Sequence, residues 1–178
     1  KIMIKNIPYG QHELDSDDIK AVVDILEKST ITQGQTVEDF GQALANYTGA
    51  KYGIAVSSGT AALHISVSAL GLEPGDEVIT TPITFCATAN VALYQGAEVK
   101  FVDIDPKTLN IDPNLIEEKI TEKTKAIMPV DFRGHPANLP KIKEISNKYD
   151  LKIIEDGSHS IGSKYEYNNK EYACGGGV

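Results

Sequence analysis

The sequence predicts an α/β fold in three α/β/α layers, with a mostly parallel sheet covered by helices on both faces. Strand-like and helix-like segments alternate along the chain, which is typical of such sheets. Residues 125–130 form a nearly continuous apolar run, as expected of a strand that is buried on both faces of a parallel sheet. A chain of 178 residues is also long enough to enclose a sizeable core.

Six segments carry the signals of helices. The acidic run at residues 15–18 supplies helix-start chemistry, and apolar residues then recur at helical spacing over residues 19–26. After a loop at residues 32–34, Gly49 and Gly71 mark the ends of the second and third helices. The remaining predicted helices span residues 37–47, 61–70, 85–95, 113–120 and 139–149.

Short apolar runs between the helices have the pattern of strands. A Pro-Gly-Asp turn at residues 74–76 introduces one of them. Residues 162–172 predict an irregular hairpin near the end of the chain. The predicted strands span residues 52–56, 77–81, 98–103, 125–130 and 151–156.

Charge and cysteine usage argue against several classes of function. The net charge is −8 and the basic residues are scattered, so neither nucleic acid nor an anionic membrane is an expected partner. No apolar run approaches the length of about 18 residues that crosses a bilayer, and residues 1–5 lack the apolar run of a signal peptide. Cys86 and Cys174 have no metal-ligand spacing, so we expect reduced thiols, no bound metal and a cytoplasmic location.

A Ser-Gly-Thr turn, made by Ser58, Gly59, Thr60 and Ala61, follows the first predicted strand and enters a helix. Free backbone N–H groups converge at such a helix N-terminus, and the helix dipole favours an anion there, so the turn can bind phosphate. The Thr60 hydroxyl adds a donor. An ordinary helix N-cap would use the same residue types, and the short motif leaves that alternative open.

Asp156 and His159 follow the last predicted strand of the sheet. In open α/β sheets, ligands bind at the carboxyl ends of the strands. A carboxylate at that edge can hold a pyridine nitrogen protonated, which makes the ring an electron sink; capping of the next turn is the alternative. His159 could hydrogen-bond a cofactor oxygen or relay a proton, or it is a loop histidine with a backbone partner.

Phe85 and Asp131 follow two further predicted strands. Phe85 is placed to stack on an aromatic ring, with core packing as the alternative. Asp131 either assists substrate binding or caps the turn before Gly134. Together with the Ser-Gly-Thr turn, these residues predict a ligand with a phosphate at one end and a basic ring nitrogen at the other. A Rossmann-type nucleotide site is disfavoured because no GxGxxG motif follows the first strand.

An ordered set of segments, spread through almost the whole chain, carries a resemblance to one known family. The segments are residues 26–34, 57–64 (SSGTAALH), 75–90 (GDEVITTPITFCATAN), 96–105 (GAEVKFVDID), 121–130 and 155–162. They resemble the sugar aminotransferases of the DegT/DnrJ/EryC1/StrS family. These are enzymes of the aspartate aminotransferase fold (fold type I) that use pyridoxal 5′-phosphate.

The resemblance implies a role for each candidate residue. Asp156 would pair with the pyridinium nitrogen of the cofactor, and Phe85 would stack on its ring. His159 would lie near the phenolic oxygen in a supporting catalytic role, while Thr32 and Asp131 would contact substrate. The phosphate-binding turn would be formed by Ser58, Gly59, Thr60 and Ala61.

One residue of the family has no counterpart in this chain. The Schiff-base lysine of the family lies shortly beyond His159, after a glycine-rich stretch, and the chain ends at Val178 before that point. Lys164 and Lys170 are too close to His159 to take its place. We therefore expect residues 1–178 to be an N-terminal segment and most of the cofactor-binding large domain, without the small C-terminal domain, and to be inactive alone.

Smaller motifs indicate a subgroup of the family. Residues 8–10, 14–15, 32–34 and 130–132, with Gly134, look most like the transaminases of pseudaminic acid synthesis. That subgroup aminates C4 of a UDP-linked 4-keto-6-deoxy-N-acetyl hexose with glutamate as the donor, so these are the expected substrates. The family also implies a homodimer.

Two alternatives remain open. A family member that replaces the lysine with histidine would be a sugar 3-dehydratase, still dependent on pyridoxal 5′-phosphate. A non-catalytic regulatory or cofactor-binding module belongs to a different class of protein. The residues beyond Val178 would distinguish the two enzymes.

Overall fold

The computed structural model describes residues 12–176. The N-terminal residues 1–5 and the Pro-Tyr-Gly motif at residues 8–10, both used above, lie outside the described residues. The chain divides into two compact units, Lys1–Glu38 and Asp39–Val178.

The first unit contains helix α1 (Ser16–Lys28), which begins where the acidic run predicts it. The Asp15 carboxylate accepts hydrogen bonds from the backbone N–H groups of Asp17 and Asp18, at 2.8 and 3.0 Å. The Asp18 carboxylate in turn accepts the N–H of Asp15 at 3.1 Å, which completes a capping box. The predicted helix start is therefore confirmed, because these side chains satisfy N–H groups that a helix end leaves free.

Helix α2 (Gln35–Thr48) crosses the boundary between the units and precedes a segment that the sequence wrongly predicts as a strand. Residues 52–56 pair with no strand in the described part of the chain, and Ile54 is exposed. An alternating apolar pattern makes a strand only where a neighbouring strand offers hydrogen-bond partners. Here the segment is held by α2 instead, because Gly53 lies directly against Gly41.

Four short parallel strands form the main sheet, in the order β2-β1-β3-β4. Each lies within or almost within its predicted segment and is shorter than predicted. An isolated parallel bridge between Val130 and Asp156 continues the pairing beyond the last two strands. The strands are β1 (Glu77–Thr80), β2 (Glu98–Phe101), β3 (Thr124–Ile127) and β4 (Lys152–Ile153).

Helices cover both faces of this sheet, so the predicted three-layer α/β/α architecture is confirmed. Helices α3 (Gly59–Ala69) and α4 (Ala87–Tyr94) pack on one face, and α5 (Leu139–Tyr149) packs on the other. Two neighbouring residues of β1 show the division, because Val78 joins the core with α3 and α4 whereas Ile79 joins the core with α5. Successive side chains of a strand point to opposite faces, as this packing requires.

Residues 113–120 do not form the single helix that the sequence predicts. Two 3₁₀ turns, Pro113–Leu115 and Glu117–Lys119, replace it. Between them Ile116 is fully buried in the core against α5. Packing of this side chain thus overrides the weak helical propensity of a short segment.

The hairpin near the end of the described chain is regular, so the prediction of an irregular hairpin is wrong. Strands β5 (Lys164–Tyr167) and β6 (Lys170–Ala173) pair in antiparallel register. Asn168 and Asn169 form the two-residue turn with φ values of 51° and 59°. Hairpin turns of type I′ need positive φ at both positions, and asparagine adopts that conformation more readily than most residues.

We expect Gly53→Ala to lower the free energy of unfolding by about 1–3 kcal/mol or more, the usual cost of overpacking. A Cβ at this position would stand 2.0 Å from the carbonyl oxygen of Gly41, which is backbone and cannot rotate away. Urea unfolding measures the change. The neighbouring substitution Ile54→Ala removes an exposed side chain and should leave the midpoint nearly unchanged. Equal stability of the two variants would contradict the close contact.

Candidate functional site

The carboxylate of Asp156 lies at the centre of the candidate site. The bridge to Val130 places Asp156 at the carboxyl edge of the sheet, where its N–H donates to the carbonyl of Pro129 at 2.9 Å. The residue is 5% exposed. Its Oδ1 accepts a hydrogen bond from Ser158 Oγ and its Oδ2 accepts one from Thr88 Oγ1, each at 2.7 Å. Neutral hydroxyl donors, rather than a cation, therefore orient both oxygens.

Thr88, which the sequence analysis missed, connects Asp156 to the start of α4. Its Oγ1 is fully buried and lies 2.7 Å from Thr84 Oγ1 and 3.1 Å from the carbonyl oxygen of Phe85. Because Thr88 has one hydroxyl proton and gives it to Asp156, Thr84 is the donor of the bond between the two threonines. Two threonines four residues apart, just after a strand, were the signal that the sequence carried.

Ser158 is the second residue that sequence reasoning missed. Its N–H also approaches Asp156 Oδ1, at 3.3 Å, so the turn after Asp156 closes on its own carboxylate. An aspartate whose side chain accepts from the residue two positions later is a common turn former. The spacing of Asp156 and Ser158 was therefore visible in the sequence.

The N-terminus of α3 has the geometry of an anion-binding site. Ser58 is the N-cap, and its Oγ accepts the N–H of Ala61 at 3.1 Å. The N–H groups of Gly59 and Thr60, in the first turn of the helix, have no acceptor within the helix itself. These donors, with the helix dipole behind them, can hold a phosphate.

A close approach at Gly59 joins this turn to the Asp156 carboxylate. A Cβ at Gly59 would lie 3.1 Å from Ser158 Oγ, the hydroxyl that donates to Asp156. Residues almost a hundred positions apart in the chain thus meet at one edge of the sheet. The structure brings together the two motifs from which the sequence predicts a ligand with a phosphate and a ring nitrogen.

Phe85 and His159 both present their side chains to solvent. Phe85 is 71% exposed at the entrance to α4, so the alternative of a core phenylalanine does not describe its position. His159 is exposed in the turn after Asp156, and its carbonyl oxygen would lie 2.9 Å from a Cβ at Gly134. Both side chains are free to contact a ligand at this edge.

Asp131 and Thr32 are placed differently from the other candidates. Asp131 is fully buried, and its Oδ1 accepts the N–H of Ala137 at 2.8 Å. Its side chain makes no capping bond to the turn at Phe132–Gly134, so the alternative of a cap before Gly134 is wrong. Its side chain does not reach the open side of the site. Thr32 is exposed in a loop of the unit Lys1–Glu38, whereas Asp156 belongs to the unit Asp39–Val178. Their contacts with substrate stay predictions.

Comparison with known proteins identifies the family. The model of the DegT/DnrJ/EryC1/StrS aminotransferase family matches residues 12–175. The chain therefore belongs to this family, as its motifs predict.

Three relatives show how much of a family member the chain represents. The spore coat polysaccharide biosynthesis protein SpsC of Bacillus subtilis is 39% identical over 90% of this chain and 41% of its own length. The crystal structure of ntda from Bacillus subtilis with bound cofactor PMP has 41% identity and a TM-score of 0.79, over 84% of this chain and 35% of that one. A GDP-4-keto-6-deoxymannose-3-dehydratase, solved with a trapped PLP-glutamate geminal diamine, has 34% identity and a TM-score of 0.84. The match covers 93% of this chain and 44% of that one. The chain spans less than half of each relative.

None of the described helices has the length and apolar character needed to cross a membrane.

We expect Thr88→Val to destabilise the fold by about 1–3 kcal/mol, because it leaves a buried carboxylate oxygen of Asp156 without its donor. The isosteric change Thr84→Val removes only the outer donor of the threonine pair and should cost less. Urea unfolding of both variants measures the difference. The reverse order of stability would show that the Thr88 hydroxyl does not support Asp156.

Proposed function

We propose that this chain is the amino-terminal part of a pyridoxal 5′-phosphate-dependent aminotransferase that acts on a nucleotide-linked keto sugar. One observation carries the proposal. The start of α3, which can bind phosphate, lies beside the turn that orients Asp156. Membership of the DegT/DnrJ/EryC1/StrS aminotransferase family, and relatives solved with PMP or PLP, support the same cofactor.

The residues present fit this cofactor at both ends. Its phosphate would be bound by the N–H groups of Gly59 and Thr60 and by the Thr60 hydroxyl, with Ser58 and Ala61 shaping the turn. A side chain at position 59 would enter the space next to Ser158, so glycine keeps the cradle open. When bound, the cofactor supplies a protonated pyridine ring that accepts electron density from the reacting carbon.

Asp156 would hold the proton on the ring nitrogen. The hydroxyls of Thr88 and Ser158 fix its two oxygens, so the carboxylate needs little reorganisation to meet the ligand. Exposed Phe85 would cover one face of the ring, and exposed His159 would lie near the phenolic oxygen. In this arrangement the chain binds and orients the cofactor and sets the protonation of its ring.

The covalent lysine would lie outside this chain. Lys164, at the base of the hairpin, pairs with Glu171 at 2.6 Å, and Lys170 lies over the ring of Tyr172 at 5.1 Å. Both contacts hold these lysines on the hairpin. We propose that residues 1–178 form the N-terminal segment and most of the large domain of a longer, cytoplasmic, homodimeric enzyme.

The proposed substrates are a UDP-linked 4-keto-6-deoxy-N-acetyl hexose, aminated at C4, and glutamate, in the synthesis of pseudaminic acid. The subgroup motifs around Thr32 and Asp131 support this choice. A relative named for spore coat polysaccharide biosynthesis and another that acts on a GDP-linked keto sugar support the broader class of sugar substrate.

A sugar 3-dehydratase is the second candidate. The similarity to the GDP-4-keto-6-deoxymannose-3-dehydratase, with a TM-score of 0.84, supports it, although a sugar aminotransferase reaches the same TM-score. The complete reading frame separates the two enzymes, since a lysine beyond Val178 would support transamination and a histidine there would support dehydration.

The function is tested with the full-length protein from the complete reading frame. We expect glutamate to convert the added pyridoxal 5′-phosphate to its amine form, and we expect the keto sugar to restore the aldehyde form. Absorbance monitors both conversions. Loss of the C3 hydroxyl without net amino transfer would indicate the dehydratase. A protein that binds the cofactor but turns over neither substrate would be the non-catalytic module and would refute the proposal.

We expect Asp156→Asn to weaken binding of pyridoxal 5′-phosphate by about 10- to 100-fold, because it removes a charge-assisted hydrogen bond worth about 1.5–3 kcal/mol. Asp103→Asn changes an exposed carboxylate that follows β2 and is the matched control. Cofactor titration monitored by absorbance gives both dissociation constants. Equal affinity of the two variants would exclude Asp156 as the partner of the ring nitrogen.

A further inference from the structure

A cluster of acidic groups lies next to the candidate site, where the residue before Asp156 meets the end of the hairpin. It contains Asp131, Glu155 and Cys174, whose carboxylate oxygens and sulfur lie within 4.8 Å of one another. Asp131 and Cys174 are buried, and Glu155 is half-buried. The function proposed above assigns no role to Glu155 or Cys174.

The two carboxyl groups are only partly satisfied by the described chain. Asp131 Oδ1 accepts the N–H of Ala137, and Glu155 Oε1 accepts the N–H of Gly175, each at 2.8 Å. The second oxygen of Asp131 is enclosed and has no hydrogen-bond partner among residues 12–176. No ion pair within these residues reaches either carboxyl group. Two adjacent carboxylates without a cation would repel each other strongly in this setting.

We propose that Glu155 is protonated and donates its O–H to Asp131 Oδ2, and that this shared proton makes Glu155 a positioning residue for Asp156. The hydrogen bond supplies the missing partner of Asp131 and leaves one negative charge on the pair. Like-charged carboxyl groups that share a site commonly hold one proton between them.

The pair connects the elements that fix Asp156. The Asp131 N–H donates to the carbonyl of Asp156 at 3.1 Å, next to the bridge at Val130. Glu155 is the residue directly before Asp156, and its other oxygen holds Gly175 just after the hairpin. A proton between Asp131 and Glu155 thus ties the ends of two strand segments to the hairpin.

The surrounding groups favour the protonated form. Burial, followed by the hydrogen bond with Asp131, raises the pKa of Glu155 to about 8. The other titratable groups that act on the pair are Cys174 and Tyr165, and burial raises the pKa of each to about 12. Tyr172 lies behind Tyr165, and its ring stacks on it at 5.5 Å. All of these side chains are acids, so none stabilises an ionised Glu155. The Gly175 N–H lowers the pKa of Glu155, but less than burial and Asp131 raise it.

The sign of the pH dependence follows from this raised pKa. The contribution of the shared proton to stability is fully present below pH 4.5, the ordinary pKa of a glutamate, and is lost as pH rises through about 8. Over that range the folded protein holds one proton that the unfolded chain releases. The titration of Glu155 therefore lowers the folding equilibrium constant by about tenfold for each unit by which the pH rises.

Glu155→Gln tests the proposal because glutamine copies the protonated acid. Its amide can donate to Asp131 Oδ2 while its oxygen still accepts the Gly175 N–H. We expect the full-length Gln variant to fold, and the ratio of the wild-type to the variant folding constant to fall about tenfold per pH unit between the two pKa values. The control is Glu171→Gln, which changes an exposed hairpin carboxyl group that pairs with Lys164. This variant should not change how the folding constant depends on pH. An unchanged slope in Glu155→Gln would overturn the proposal.

A double substitution tests the direction of the hydrogen bond. Asp131→Asn alone offers an amide donor to an ionised Glu155 and should also fold. Combined with Glu155→Gln it places two amide donors against each other, so the double variant should be less stable than the two single effects predict. Additive effects would contradict a hydrogen bond between these groups. Stabilisation of the wild type by zinc, abolished by Glu155→Gln, would instead show a metal site and refute the shared proton.

The effect on Asp156 rests on the proposed cofactor, and a second measurement separates the two proposals. Affinity for pyridoxal 5′-phosphate should weaken in the wild type above about pH 8, and this loss should be absent in Glu155→Gln. Suppose the folding constant shows the expected pH dependence but no cofactor binds. The shared proton is then supported and the proposed function is refuted. If cofactor affinity has the same pH profile in both proteins, Glu155 does not position Asp156.

Discussion

The backbone bridge between Val130 and Asp156 is the constraint on which the candidate site depends. It extends the parallel pairing past the last regular strands and brings Asp131 and Asp156 to the same edge of the sheet. Once this edge is fixed, Thr88 from α4 and Ser158 from the next turn reach the two oxygens of Asp156. A carboxylate in a loop would be free to rotate, whereas one held by a strand and two hydroxyls is oriented before any ligand arrives.

Close approach of distant segments at glycines is the second condition. Gly59 lets the start of α3 approach Ser158, and Gly41 and Gly53 let the chain that leads into α3 pass directly over α2. In both places a side chain would separate two elements that the site needs close together. These glycines are therefore needed because segments distant in the sequence pack against them. Their local backbone conformation alone does not reveal this requirement.

The sequence predicts an element correctly where local chemistry is sufficient. The capping acids at Asp15 and Asp18 fix the start of α1, and α5 occupies the residues that its apolar spacing predicts. Prediction fails where distant packing decides. Residues 52–56 have a strand pattern but no described partner, and Ile116 is drawn into the core and breaks the predicted helix into two turns. The hairpin at residues 162–172 was predicted, but its regular register, which the Asn-Asn turn indicates, was not.

The sequence by itself determined the family, the α/β architecture and the residue types of the candidate site, because periodicity, turn chemistry and ordered motifs are local properties of the chain. Only the tertiary structure decided which of those residues meet. It places Ser58 to Ala61 beside the turn that orients Asp156, leaves Phe85 exposed and buries Asp131 within 4.8 Å of the Glu155 carboxyl group. The physical reason is that hydrogen bonds and burial between residues far apart in sequence depend on the register of the sheet, which no single segment encodes.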